Sequence, residues 1–81
     1  MTQTADEHHS RAAGHFDSAA QHHRAAEKAF SSGNVESAAY EAQLALGHTV
    51  QGNDHADLAA MAHLEHHAMK RMGRKRKAAK K

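Results

Sequence analysis

The stretch Ala29-Phe30-Ser31-Ser32-Gly33-Asn34-Val35-Glu36-Ser37-Ala38 decides the fold, because two helix-favouring segments meet in it at a break. Gly33 suits the left-handed residue that ends a helix, and Asn34 suits the cap that begins the next. Upstream, Thr4-x-x-Glu7 has the form of a capping box, so a first helix is expected from about Ala5 to this turn. Downstream, a second helix is expected from Val35 to between Leu46 and Val50. Gln51-Gly52-Asn53-Asp54 repeats the stop-and-start pattern. It predicts a third helix that opens with Asp54-x-x-Asp57, reaches Met69 or Met72 and closes at Gly73. The fold class expected is therefore all-α, a helical hairpin plus a third helix. The predicted division is a His-rich helical domain over 1–73 and a disordered basic tail over 74–81.

Length and composition narrow the range further. With 81 residues there is room for one domain, and nineteen of the residues are alanine. Chains this short and this rich in small side chains bury little apolar surface, which points to help from a partner chain, a ligand or a metal. The absence of cysteine excludes disulfides, thiolate metal sites and thiol catalysis. No stretch resembles a signal peptide or a membrane span, so a cytoplasmic location is expected. The net charge of +2 conceals a division: residues 70–81 carry eight bases and no acid, whereas residues 1–69 carry three bases and nine acids, or 3 − 9 = −6.

The first predicted helix has a coherent stripe. Ala5, Ala12, Ala19 and Ala26 recur every seven residues, as do His8, His15 and His22, and beside them run His9, Phe16, His23 and Phe30, so that the histidines lie within the apolar stripe. The expected assembly is a homo-oligomer, most simply a two-fold dimer pairing the Ala12/Ala19/Ala26 face. In the third predicted helix, Leu58, Met61, Leu64, Ala68, Met69 and Met72 fall on one half, and His55, His63, His66 and His67 on the other.

Around the turn, Ala26-x-x-Ala29-Phe30-x-x-Gly33-Asn34-Val35-x-x-Ala38, continuing to Ala42 and Ala45-Leu46, resembles a tetratricopeptide-type helical hairpin. What the resemblance implies is an antiparallel helix pair. It implies no stacked-repeat function, since no second repeat follows. The chain is also similar in character to small Ala- and His-rich bacterial helical proteins suspected of binding metal.

Ten histidines in so short a chain have no ready packing explanation. His63 and His67 stand one helical turn apart, the spacing by which two imidazoles reach one ion, with His66 beside them and His55 further back on the same face. His23 and Glu27 form a second, mixed pair. His8, His15 and His22 lie about 10.5 Å apart along the helix, so they ligate only as rungs facing another helix or chain. Nitrogen and carboxylate ligands without thiolate suit Cu, Ni or Zn as the divalent ion. Full protonation of the imidazoles would take the formal charge from +2 to +12, so a pH switch is an alternative use.

The preferred function is thus non-enzymatic binding or buffering of a divalent transition metal; no catalytic motif is present. One alternative is nucleic-acid association through Lys70, Arg71, Arg74, Lys75, Arg76, Lys77, Lys80 and Lys81, which would contact phosphates without reading sequence. Anionic lipid is another polyanion that this tail fits. A purely structural helical interaction module is the remaining alternative.

Overall fold

In the computed structural model the chain is an antiparallel pair of helices, α1 (Ala5–Ser31) and α2 (Val35–Ala79). Residues 4–79 are described, without the side chains of Met69 and of residues 71–79. Thr4 caps α1, its hydroxyl accepting from the Glu7 backbone N–H at 3.3 Å. At the other end the Gly33 N–H donates to the Phe30 carbonyl and the Asn34 N–H to the Ala29 carbonyl, with Gly33 at φ 84°. Those two bonds are the Schellman closure, which needs a left-handed residue and so favours glycine. The Asn34 side chain then accepts from the Ser37 N–H at 3.2 Å and starts α2.

The expectation of three helices is corrected to two. α2 runs without interruption through Gly47 and through Gln51-Gly52-Asn53-Asp54. The reason lies in the packing. Ala38, Ala45, Gly52 and Ala59 recur every seven residues, matching Ala5, Ala12, Ala19 and Ala26 on α1. Ala12, Ala19, Ala38, Ala45, Gly52 and Ala59 are all buried. Gly52 therefore occupies a place in the seam where the helices touch, and the edge of the Phe16 ring lies over it. A Cβ added there would stand 2.7 Å from the ring. An interior glycine costs a helix about 1 kcal/mol relative to alanine, too little to break it when both flanking turns are held against a second helix.

α2 continues past Gly73 as far as Ala79. Gly73 does not close the helix. Lysine, arginine and alanine are good helix formers, and cations near a helix C-terminus interact favourably with its dipole. Lys80 and Lys81 lie outside the described residues.

The Ala12/Ala19/Ala26 face, expected to pair with a second copy, is instead covered by the chain's own α2. No side chain larger than alanine is fully buried among the described residues, whereas Phe16, Phe30, Tyr40, Leu46, Val50, Leu58, Met61 and Leu64 are exposed. The apolar half expected for residues 58–72 therefore faces outward over the described part.

The two interior glycines of α2 should respond oppositely to substitution. Nothing lies within 4 Å of a Cβ at Gly47, so Gly47→Ala should stabilise the hairpin by up to about 1 kcal/mol. Gly52→Leu forces a branched side chain into the contact and should destabilise it by about 1–3 kcal/mol. Thermal unfolding followed by circular dichroism measures both. Stabilisation by Gly52→Leu would contradict a continuous α2 packed on α1.

A histidine seam between the helices

Small residues along the contact bring the two backbones close, and this fixes what the flanking rows meet. On one side of the alanine seam, His8, His15 and His22 of α1 face His55, His48 and Glu41 of α2, both rows having a seven-residue period. The Nδ1 atoms of His8 and His55 are 3.0 Å apart, and those of His15 and His48 are 3.1 Å apart. His22 Nδ1 lies 2.6 Å from Glu41 Oε2. Successive rungs also stack, His15 on His55 and His22 on His48, with ring centroids 5.8 and 5.5 Å apart and planes within 10°. All six side chains are half-buried. The row is a continuous imidazole ladder closed at the turn end by a carboxylate.

On the other side of the seam, His9 and His63 bring their Nε2 atoms to 3.0 Å. This pair is exposed to solvent. In each imidazole pair one ring nitrogen carries the proton and donates, and the other presents its lone pair. Two protonated rings at this separation would repel one another.

The sequence-derived candidates therefore distribute differently from their linear spacing. His63 has its partner across the hairpin in His9. His66 and His67 are exposed on the part of α2 beyond the start of α1, with their rings edge to face at 6.5 Å. His55 joins the ladder. His23 and Glu27 are exposed and enter no hydrogen bond or ion pair among the described residues. Lys70 is exposed, and the remaining tail cations lie outside the described side chains. His9, His48 and Glu41 were not among the candidates. Their signal was present in the sequence: positions 41, 48 and 55 share the period of 8, 15 and 22. Among the described residues, no three His, Asp or Glu side chains stand together as a preformed metal site.

His55 has an imidazole pKa below its ordinary value of 6.5. Partial burial in the seam is the largest cause, reinforced by His8, His15 and Arg11 and opposed by Asp54.

No family model, curated protein or solved structure matches this chain. No helix among the described residues is long and apolar enough to cross a membrane.

The lowered pKa of His55 sets a sign for pH dependence. Its folded form takes up a proton less readily than the unfolded chain does. Its contribution is thus full above about pH 6.5 and is lost as the pH falls from there toward the folded value. The thermal midpoint measured from pH 8 to pH 5 should fall, and His55→Gln should flatten the fall. An unchanged slope in His55→Gln would remove this assignment.

Proposed function

We propose that this chain is a non-enzymatic binder and buffer of a divalent transition metal, copper, nickel or zinc. Its ligands are the imidazoles paired across the hairpin. The observation that carries the reading is the 3.0–3.1 Å separation of facing ring nitrogens in His8/His55 and His15/His48. Two imidazoles on one tetrahedral ion, at about 2.0–2.1 Å each, place their nitrogens about 3.3 Å apart. A few tenths of an ångström of opening therefore turns a hydrogen-bonded pair into a chelating pair, with loss of the shared proton. His22 with Glu41 offers a mixed nitrogen and oxygen pair of the same kind.

Two protein ligands per ion leave the remaining coordination positions to water. Such sites are open and exchange readily, which suits buffering rather than permanent structural binding. The rungs repeat about every 10.5 Å, so neighbouring ions are far enough apart for each pair to fill on its own. Ligation clamps α1 to α2 and couples metal uptake to closure of the hairpin. The in-helix set of His63, His66 and His67 has no such mate for His66 or His67 and takes a lesser part in this reading.

Free metal at 100 times its dissociation constant should stabilise the folded chain by about 2.7 kcal/mol. For so small a domain, that corresponds to a rise in thermal midpoint of roughly 10 °C or more. The gain should fade below about pH 6 as protons compete. In calorimetric titrations with Zn(II), Ni(II) or Cu(II), His15→Gln/His48→Gln should lose one site, whereas His66→Ala/His67→Ala should keep the parent stoichiometry. The opposite pattern would return the site to the exposed stretch of α2 and overturn the seam.

A further inference from the structure

We infer that the end of α2 projecting past α1 is a docking element for duplex DNA, which it enters by the major groove with its cations matched to the phosphates on either side. None of the imidazoles paired across the hairpin takes part.

The fold supplies the element. α2 has 45 residues against 27 in α1, so about 27 Å of it extends beyond the hairpin. The molecule is 73 Å long, which matches α2 as a single straight helix of about 67 Å. His66, His67 and Lys70 stand exposed on the projecting part. Over residues 70–77 it carries Lys70, Arg71, Arg74, Lys75, Arg76 and Lys77 and no acid. These cations occupy about 12 Å of helix, or about one charge per 2 Å. Duplex DNA carries about one negative charge per 1.7 Å of its axis.

Charge density decides against a second copy as the occupant. The acids of the chain are scattered from Asp6 to Glu65, with Arg11, Arg24 and Lys28 among them. No run of negative charge comparable to the basic segment exists on the chain itself, and the projecting ends of two copies would repel one another.

Shape separates duplex DNA from other polyanions. At 100° per residue the basic positions are distributed around α2 and leave no arc wider than about 100° without a cation. A helix bound to a membrane surface needs a broad face of bulky apolar residues, and Met72 is the only large apolar residue in 70–77. Because α2 is straight, laying this segment on an anionic bilayer would also press the hairpin onto it, although residues 1–69 hold nine acids against three bases. A groove makes neither demand. Its walls present phosphates on both sides of an inserted helix, and a straight helix leaves the curved duplex after a few turns, carrying the acidic hairpin clear. The major groove of B-form DNA, about 12 Å wide, admits an α-helix, whereas that of A-form RNA is too narrow. Contacts to phosphates position the helix without reading the base sequence.

Fluorescence anisotropy of the full chain with a short labelled DNA duplex tests the assignment. Six phosphate contacts give a log–log slope of affinity on salt near −5, or about a thousandfold loss between roughly 50 and 200 mM. Binding to an RNA duplex of the same sequence, and to phosphatidylcholine vesicles containing phosphatidylserine, should be weaker by about tenfold or more. Arg74→Gln/Lys75→Gln/Arg76→Gln/Lys77→Gln should reduce the slope to about −2 and remove most of the affinity. Gly73→Pro keeps every charge but breaks the helix at the start of the segment. It should weaken DNA binding by about tenfold or more and leave the thermal midpoint of the hairpin unchanged, since residue 73 lies beyond α1. Affinity unchanged in Gly73→Pro, equal binding to the RNA duplex or tighter binding to the vesicles would overturn docking of a helix in the groove. So would an affinity that ignores salt or survives the four glutamines. Self-association of the DNA-free chain in sedimentation, lost in the glutamine variant, would give the segment to a second copy and overturn the assignment as well.

Discussion

The close approach of two helices along Ala5, Ala12, Ala19 and Ala26 against Ala38, Ala45, Gly52 and Ala59 is the constraint from which the remaining geometry follows. A seam of methyl groups and one bare glycine sets the helices nearer than leucine would allow. The positions beside the seam are then forced into register across a narrow gap. Flexible long side chains would have to leave that gap, but a planar imidazole fits it and finds a hydrogen-bond partner in its counterpart. The seven-residue repeat on both helices keeps the match over successive rungs, because it holds the same face toward the partner as the helices wind. His8/His55, His15/His48 and His22/Glu41 are consequences of this registration.

Much of the hairpin was legible in the sequence, for local reasons. The capping residue Thr4, the turn at Gly33 and Asn34 and the stripe on α1 depend on neighbours within a few positions, and the structure carries all of them. What was not legible depended on residues far apart. Gly52 sits in a string that has every local mark of a stop, and only the approach of Phe16 from the other helix gives it another role. Dividing α2 at that point also hid the period joining Glu41, His48 and His55, since the three residues fell into two predicted helices. The in-helix spacing of His63 and His67 was real, but the contact to His9 is made across 54 positions. Local spacing shows which side chains share a face. It does not show what that face meets.

Imidazoles at the interface make one set of side chains responsible for both cohesion and chemistry. A neutral pair contributes a hydrogen bond worth about 1 kcal/mol, and a seam of alanines contributes little more per residue. The hairpin consequently has no large apolar reserve to hold it when the pairs change state. Protons, which charge the rings, act directly on these few contacts. His55 shows it: burial in the seam, and after it the neighbouring His8, His15 and Arg11, hold its imidazole pKa below the ordinary value.

The usual division of a small domain is reversed here. Polar rings lie half-buried between the helices, and phenylalanine, leucine, valine and methionine stand on the outside. Scattered exposed apolar residues need no explanation, but a fold that leaves Phe30, Val35, Tyr40, Leu46, Val50, Met61 and Leu64 more than half exposed does. The alanine seam accounts for it. A gap narrow enough to pair imidazoles admits a phenyl ring only where Gly52 leaves space for the edge of Phe16, so the rest of the bulk apolar surface is displaced to the outer faces. The narrow seam that makes the histidine ladder thus also sets where the bulk apolar surface lies, on the outer faces of the hairpin.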